Sequence, residues 1–156
     1  MNLTSITPGA LKGGLSALAR HPQRDEFLVG GADGTPQLYR MFREVERRIG
    51  DNSNLIRRFP AMEGRVFAVA WRADGKRLLA ASSLDGKGAV NTYRAEADTR
   101  LPDNIKAIFS KTSTERSPEE NAAVEAYQTN GAERLTHTVL PTGVYAAVFS
   151  PDGKTI

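Results

Sequence analysis

The 156-residue chain contains no cysteine. Disulfides, thiolate nucleophiles and cysteine-ligated zinc are therefore excluded within it. Histidine is nearly absent too: the chain holds only His21 and His137, far apart in sequence. A lone imidazole makes a poor metal site, so neither is read as a ligand or a catalytic base. No apolar run reaches the roughly 18 residues that a membrane-crossing helix needs. The stretch Met1–Gly9 lacks the basic and apolar regions of a signal peptide. A strong charge of one sign is also missing. The 21 basic and 18 acidic residues leave a net charge of +3, too slight for a nucleic-acid footprint. These absences name no compartment.

Motifs of cofactor or metal chemistry are likewise not found. Gly30-Gly31-Ala32-Asp33-Gly34 lacks the Lys-Ser/Thr pair and the helix that a phosphate loop requires, so it reads as a hairpin turn. Asp74-Gly75 and Asp152-Gly153 offer one carboxylate each, where a calcium loop converges several oxygens. They read as turns as well. No Ser-His-Asp arrangement is suggested by spacing. No catalytic, cofactor-binding or metal-binding residue is assigned, and no enzyme activity is expected.

What the chain does have is repetition. Val66-Phe67-Ala68-Val69-Ala70-Trp71-Arg72-Ala73-Asp74-Gly75-Lys76 is followed by Val144-Tyr145-Ala146-Ala147-Val148-Phe149-Ser150-Pro151-Asp152-Gly153-Lys154, with a looser copy beginning at Leu15. Pinning Arg20, Trp71 and Phe149 aligns Leu15, Val66 and Val144 in one column, and Ala17, Ala68 and Ala146 in another. Alternate strand residues point to opposite faces. The second and third copies are apolar on both, which predicts strands sandwiched between neighbours. The alanine column predicts close approach of adjacent sheets. Second strands follow at Phe27–Gly31 and Arg77–Ser82, then the turns Ala32-Asp33-Gly34 and Leu84-Asp85-Gly86. Third strands, Gln37–Arg40 and Val90–Arg94, each close on Tyr-Arg, with Lys87-Gly88 read as a small insertion. Fourth strands are placed at Leu55–Phe59 and Leu135–Leu140, and Met1–Ile6 as the last strand of a preceding unit. Four strands per unit in an up-down meander form a propeller blade.

These residues resemble the WD-repeat β-propeller family. The resemblance rests on the Trp71–Lys76 and Phe149–Lys154 turns, on Asp33 and Asp85, and on the aromatics Tyr39 and Tyr93. The family phrase Phe-Ser-Pro-Asp-Gly-Lys stands unchanged at Phe149–Lys154. The closing Trp-Asp is replaced by Tyr39-Arg40 and Tyr93-Arg94, and Gly13-Gly14, Glu63-Gly64 and Thr142-Gly143 stand where the family has Gly-His. Without that His, Asp33 and Asp85 are expected to serve their turns alone. The resemblance implies an all-β chain of antiparallel four-stranded blades in an incomplete propeller. Residues 1–10 would end a preceding blade, 11–62 form a blade with a short insertion, 63–141 a blade with a long insertion at 95–134, and 142–156 begin another, stopping in mid-strand.

Spacing supports the insertions. The alanine column steps by 51 positions and then by 78, against a usual unit of about 40–45 residues. The first excess falls at Met41–Asn54. There Phe42, Val45 and Ile49 have helical spacing, although Tyr39–Val45 also fits an overlong strand. The second falls at Ala95–Arg134. Within it Ser117-Pro118-Glu119-Glu120 is a helix start: Ser at the N-cap, Pro in the first turn, Glu three residues on. That one short helix should run to about Tyr127, stop near Asn130-Gly131, and lie on the surface, partly mobile. Arg40, Arg43, Arg47, Arg48, Arg57, Arg58 and Arg65 are interleaved with Glu44, Glu46, Asp51 and Glu63, which predicts a solvated face.

The function expected is a non-catalytic scaffold that binds a protein partner through the rims and inserted loops, beside the remaining blades of a parent ring. The alternative is a sensor or docking propeller in a larger multidomain bacterial enzyme or c-type cytochrome-containing protein. An enzyme site in the central channel would need convergent ionisable groups, and the sequence offers none to name.

Overall fold

The structure, a computed structural model, describes residues 13–46 and 52–156. It is mostly β. Strands β1 (Leu15–Arg20), β2 (Glu26–Gly31), β3 (Gln37–Arg40) and β4 (Leu55–Arg58) form one antiparallel sheet in sequence order. Strands β5 (Arg65–Trp71), β6 (Arg77–Leu84), β7 (Lys87–Arg94) and β8 (Arg134–Leu140) form a second. Helices α1 (Asp103–Phe109) and α2 (Pro118–Thr129) lie between β7 and β8.

The two sheets repeat each other residue by residue. Ala19 pairs with Leu28 as Ala70 pairs with Leu79, and Phe27 pairs with Tyr39 as Leu78 pairs with Tyr93. Even the irregularities recur. Ser16 and Phe67 are extra residues at the same place in β1 and β5, and Ile56 and Leu135 at the same place in β4 and β8. A bulge bends its strand and tightens the twist, so shared bulges give both sheets one shape.

The turns repeat as well. The N–H of His21, Arg72 and Ser150 donates to the carbonyl five residues on, at Glu26, Arg77 and Thr155, each at 2.9 Å. Asp74 and Asp152 accept from the backbone N–H of Lys76 and Lys154 at 2.9 and 3.1 Å, and Asp33 from Thr35 at 3.1 Å. These carboxylates are turn residues. The β6–β7 hairpin corrects the sequence reading. The two extra residues, Lys87 and Gly88, do not loop out but lengthen β7, because Asp85 (φ 49°) and Gly86 (φ 79°) close a two-residue turn that pairs Leu84 with Lys87. Both central residues at positive φ are what the right-handed strand twist selects.

Strand β5 packs on β1 and β2, and the main core runs between the sheets. Leu28, Leu38 and Ile56 of the first sheet meet Val69, Leu78, Ala80 and Tyr93 of the second. Of the alanine column only Ala17 packs against this core; Ala68 is half-buried outside it and Ala146 is exposed. Gly30 completes the core: a Cβ there would fall 2.4 Å from Val66 Cγ1.

The third copy behaves differently. Residues 143–150 form no strand, and Tyr145 and Val148 are each 68% exposed, so the strand buried on both faces is not found there. A strand needs a partner ladder for its N–H and C=O groups, and none lies beside this segment among the described residues. It is nonetheless seated. Ser83 Oγ donates to Val144 O at 2.9 Å and accepts from its N–H at 2.6 Å, and Tyr145 meets Phe67 edge-on at 5.0 Å.

Other expectations are corrected or fall outside. Residues 41–46 are neither helix nor strand. The proposed strand Met1–Ile6, and Arg47, Arg48 and Asp51, lie outside the described residues. Among the described residues there are two helices rather than one, and neither is long and apolar enough to cross a membrane.

Candidate functional site

The long insertion leaves the second sheet and docks back on the first. Helix α2 starts as its sequence dictates. Ser117 Oγ accepts from Glu120 N–H at 3.2 Å, and Glu120 accepts from Ser117 N–H at 3.0 Å, a complete capping box. Its thin apolar stripe finds a partner that was not foreseen. Leu101, Ile105, Ile108 and Phe109 pack with Val124, Ala123 and Tyr127 in a small second core, joined by Val45. The spacing i, i+4, i+7, i+8 from Leu101 is a helical face, and that signal was present in the sequence. The helix lies on the surface as expected, docked there through Val124, Tyr127 and Gln128.

Buried charge fixes the dock. Arg40, only 6% exposed, donates to Ser53 O at 2.8 Å, Thr99 O at 2.9 Å and Tyr127 Oη at 2.8 Å, and pairs with Glu44 at 3.2 Å. Glu26 accepts from Thr99 Oγ1 at 2.5 Å and from Arg24 at 2.9 Å. Lys106 reaches Glu44 at 3.1 Å and Arg58 reaches Glu125 at 3.6 Å. Arg57 is 1% exposed; its Nη2 donates to Asp98 O at 3.2 Å, while Nε and Nη1 have no partner among the described residues. Burial lowers its pKa from the usual arginine value. The neighbouring Asp98 carboxyl is held down to about 2 by the Arg100 guanidinium. The basic cluster is thus no uniform solvated face: Arg40 and Arg57 are buried, while Arg43 and Arg65 are exposed.

A groove of about 550 Å³ opens on the face of the second sheet that looks toward the first. Ser82, Asn91 and His137 form its polar floor, with Met62, Leu84 and Val139 along its walls. The hydrogen bonds on the floor have a fixed direction. Pro60 O can only accept, so the Tyr93 hydroxyl donates to it at 3.0 Å. Asn91 then turns its NH₂ to Tyr93 at 2.9 Å and its carbonyl to His137 Nδ1 at 2.6 Å. Nδ1 must carry the proton, which leaves Nε2 as the acceptor of the neutral ring. Burial raises the Tyr93 pKa, which keeps the phenol a donor. Ser82 is fully buried, and its hydroxyl has no partner among the described residues. An unpaired buried hydroxyl costs about 1–3 kcal/mol, so its place on a groove floor stands out.

His21 is a different case. Nδ1 accepts from the N–H of Gln23 and Arg24 at 3.1 and 3.0 Å, and Nε2 donates to Gly75 O at 3.3 Å. It is a turn residue, 2% exposed, and edge-on to Trp71 at 4.5 Å. His21 lies in the turn after β1 and His137 in β8 of the other sheet, and the two are not brought together. Among the described residues, no group of three or more His, Asp or Glu side chains is placed to hold a metal ion. From sequence, His137 of the groove is weighed and set aside and Asp85 is read as a turn, while Ser82 and Asn91 carry no role. Asn91, one of them, sits two residues before the closing Tyr93, as Gln37 sits before Tyr39, and Tyr39 Oη donates to Gln37 at 2.5 Å. This paired amide-Tyr column was the available signal.

Known proteins give no further guide: no model of a protein family matches the chain, and no curated protein does.

Proposed function

We propose that the chain is part of a propeller-type repeat scaffold of the WD-repeat kind, without catalytic chemistry of its own, that holds a protein partner on its rims and inserted segments. The observation that carries this reading is the recurrence of one stacking contact. The Gly75 turn packs on His21, and the Gly153 turn packs on Arg72 at the equivalent position. Matched four-stranded sheets joined by a repeated contact are the signature of an array in which each unit touches only its neighbours. Such a frame is rigid, and its insertions vary without cost to the core. The 95–134 insertion has its own small core and an ionic dock, which gives it a fixed shape to present to a partner.

The experiment is site-specific photo-cross-linking in the cell that makes the protein. A photoreactive residue at the exposed positions Glu119 or Asn121 of α2 is expected to trap one discrete partner. The same probe at the exposed strand positions Arg65 and Arg77 is expected to trap none. Equal trapping from both sets, or none from α2, overturns the reading.

A further inference from the structure

We propose that the groove on the second sheet is a docking site for an extended, dipolar peptide segment of about six residues. The inference rests on the scaffold reading and names the partner's chemistry at one site. Three observations converge on it.

The first is length. Arg134 pairs with Tyr93 at one end of the groove, and Lys87 starts β7 at the other. Six residues of strand separate those rows, about 20 Å at roughly 3.3 Å per residue. A peptide lying along β7 in extended form spans the same distance with about six residues.

The second is charge. Glu63 and Asp85 lie at the Lys87 end, where Gly64 abuts Ser83 and Leu84. That end carries two carboxylates and one ammonium. The other end carries the Arg134 guanidinium and the His137 ring. Among the described residues none of Glu63, Asp85, Lys87 and Arg134 forms an ion pair. The groove is therefore a dipole with uncommitted ends, and complementary charge would orient an occupant along it. A peptide acidic at the Arg134 end and basic at the other satisfies both.

The third is the floor. Toward the Arg134 end lies His137, whose free nitrogen is an acceptor. A peptide backbone supplies an N–H for His137, while the fully buried Ser82 side chain lies beneath the floor. Met62, Leu84 and Val139 give apolar contact for side chains between the ends.

The test is a titration of the whole ¹⁵N-labelled chain with blocked hexapeptides, read by amide shifts and Kd. The dipolar probes are acetyl-Asp-Ser-Ala-Ser-Ala-Lys-amide and its reverse. Versions with Asp at both ends or Lys at both ends are the comparisons. At least one dipolar peptide is expected to bind about tenfold tighter than either like-charged one, with shifts at Ser82, Ala89, Asn91 and His137. Arg134→Glu, at an exposed position, should move the preference to the peptide with two Lys ends. His137→Phe, at an exposed position, should weaken binding about tenfold; should that variant unfold, the Arg134→Glu result decides alone. Equal binding of all peptides, shifts mapping elsewhere, or no binding overturns the proposal. That failure leaves cross-linking from α2 untouched, so the groove and the scaffold reading fall separately.

Discussion

Gly75 stands directly against the His21 ring: a Cβ on Gly75 would lie 2.5 Å from His21 Cε1. The repeat copies this fit, for a Cβ on Gly153 would lie 2.7 Å from Arg72 Cδ. Gly75 also holds φ at 69°, which an L side chain adopts only with strain. Gly86 separates the two effects. Its φ is 79°, yet nothing lies within 4 Å of its virtual Cβ. Gly75→Ala and Gly86→Ala therefore share the backbone penalty, and only the first meets His21. Gly75→Ala is expected to cost about 1–3 kcal/mol more than Gly86→Ala in urea unfolding, the usual range for overpacking. Equal losses would mean that the turn does not bear on its neighbour.

The His21 ring makes this contact sensitive to acid. Burial lowers its pKa from 6.5, and the nearby Arg24 adds to the effect. The folded state thus binds the proton less readily than the unfolded chain. The stability tied to the neutral ring is complete above pH 6.5 and is lost as the pH falls through the lowered folded value. The mechanism is visible: Nδ1 accepts two backbone N–H groups, and a proton there would oppose both. Melting temperatures measured downward from pH 7.5 should decline for the native chain. His21→Asn keeps an acceptor for the turn and does not titrate, so the part of the decline due to His21 should vanish.

The sequence disclosed the sheets more fully than the insertion, for a physical reason. A strand-turn-strand unit is local, so Asp74, Gly75 and the alternating residues of β5 announce it within a dozen positions. The amide-Tyr pairs Gln37-Tyr39 and Asn91-Tyr93 are local as well. The dock is not. Arg40 and Thr99 meet across 59 positions and Arg40 and Tyr127 across 87, so a buried arginine looked like any other in a mixed-charge run. The groove is harder still to read. Ser82, Asn91 and His137 come from three strands, and only the pairing of β6, β7 and β8 places them on one face.

The capping box of α2 offers a local test of the docked insertion. Ser117→Ala removes the oxygen that receives the Glu120 N–H. The loss should be about 1 kcal/mol. It should fall on the helix rather than the sheets, because stability varies from unit to unit within a structure. Hydrogen exchange should quicken about fivefold in α2, as about 1 kcal/mol implies, with the β5–β7 amides unchanged. Equal acceleration in both would show that insertion and sheets open together.

The two buried arginines should respond oppositely to the same substitution. Arg40 is well partnered. Replacing it by Met would strand Ser53 O and leave Thr99 O and the Tyr127 hydroxyl only their own 3.5 Å bond. A buried polar group left without its partner costs about 1–3 kcal/mol, so Arg40→Met should lose about 2–4 kcal/mol in urea unfolding. Arg57 is more deeply buried and poorly partnered, with one hydrogen bond and two nitrogens that have none. Its only acceptor among the described residues is the backbone of the exposed Asp98, which water can solvate once the guanidinium is gone. Replacing such a buried charge by an apolar side chain of similar volume is neutral or stabilising by about 1–4 kcal/mol. Arg57→Met should therefore leave stability unchanged or raise it. A loss at Arg57 as large as that at Arg40 would mean that the Arg57 guanidinium has partners beyond Asp98.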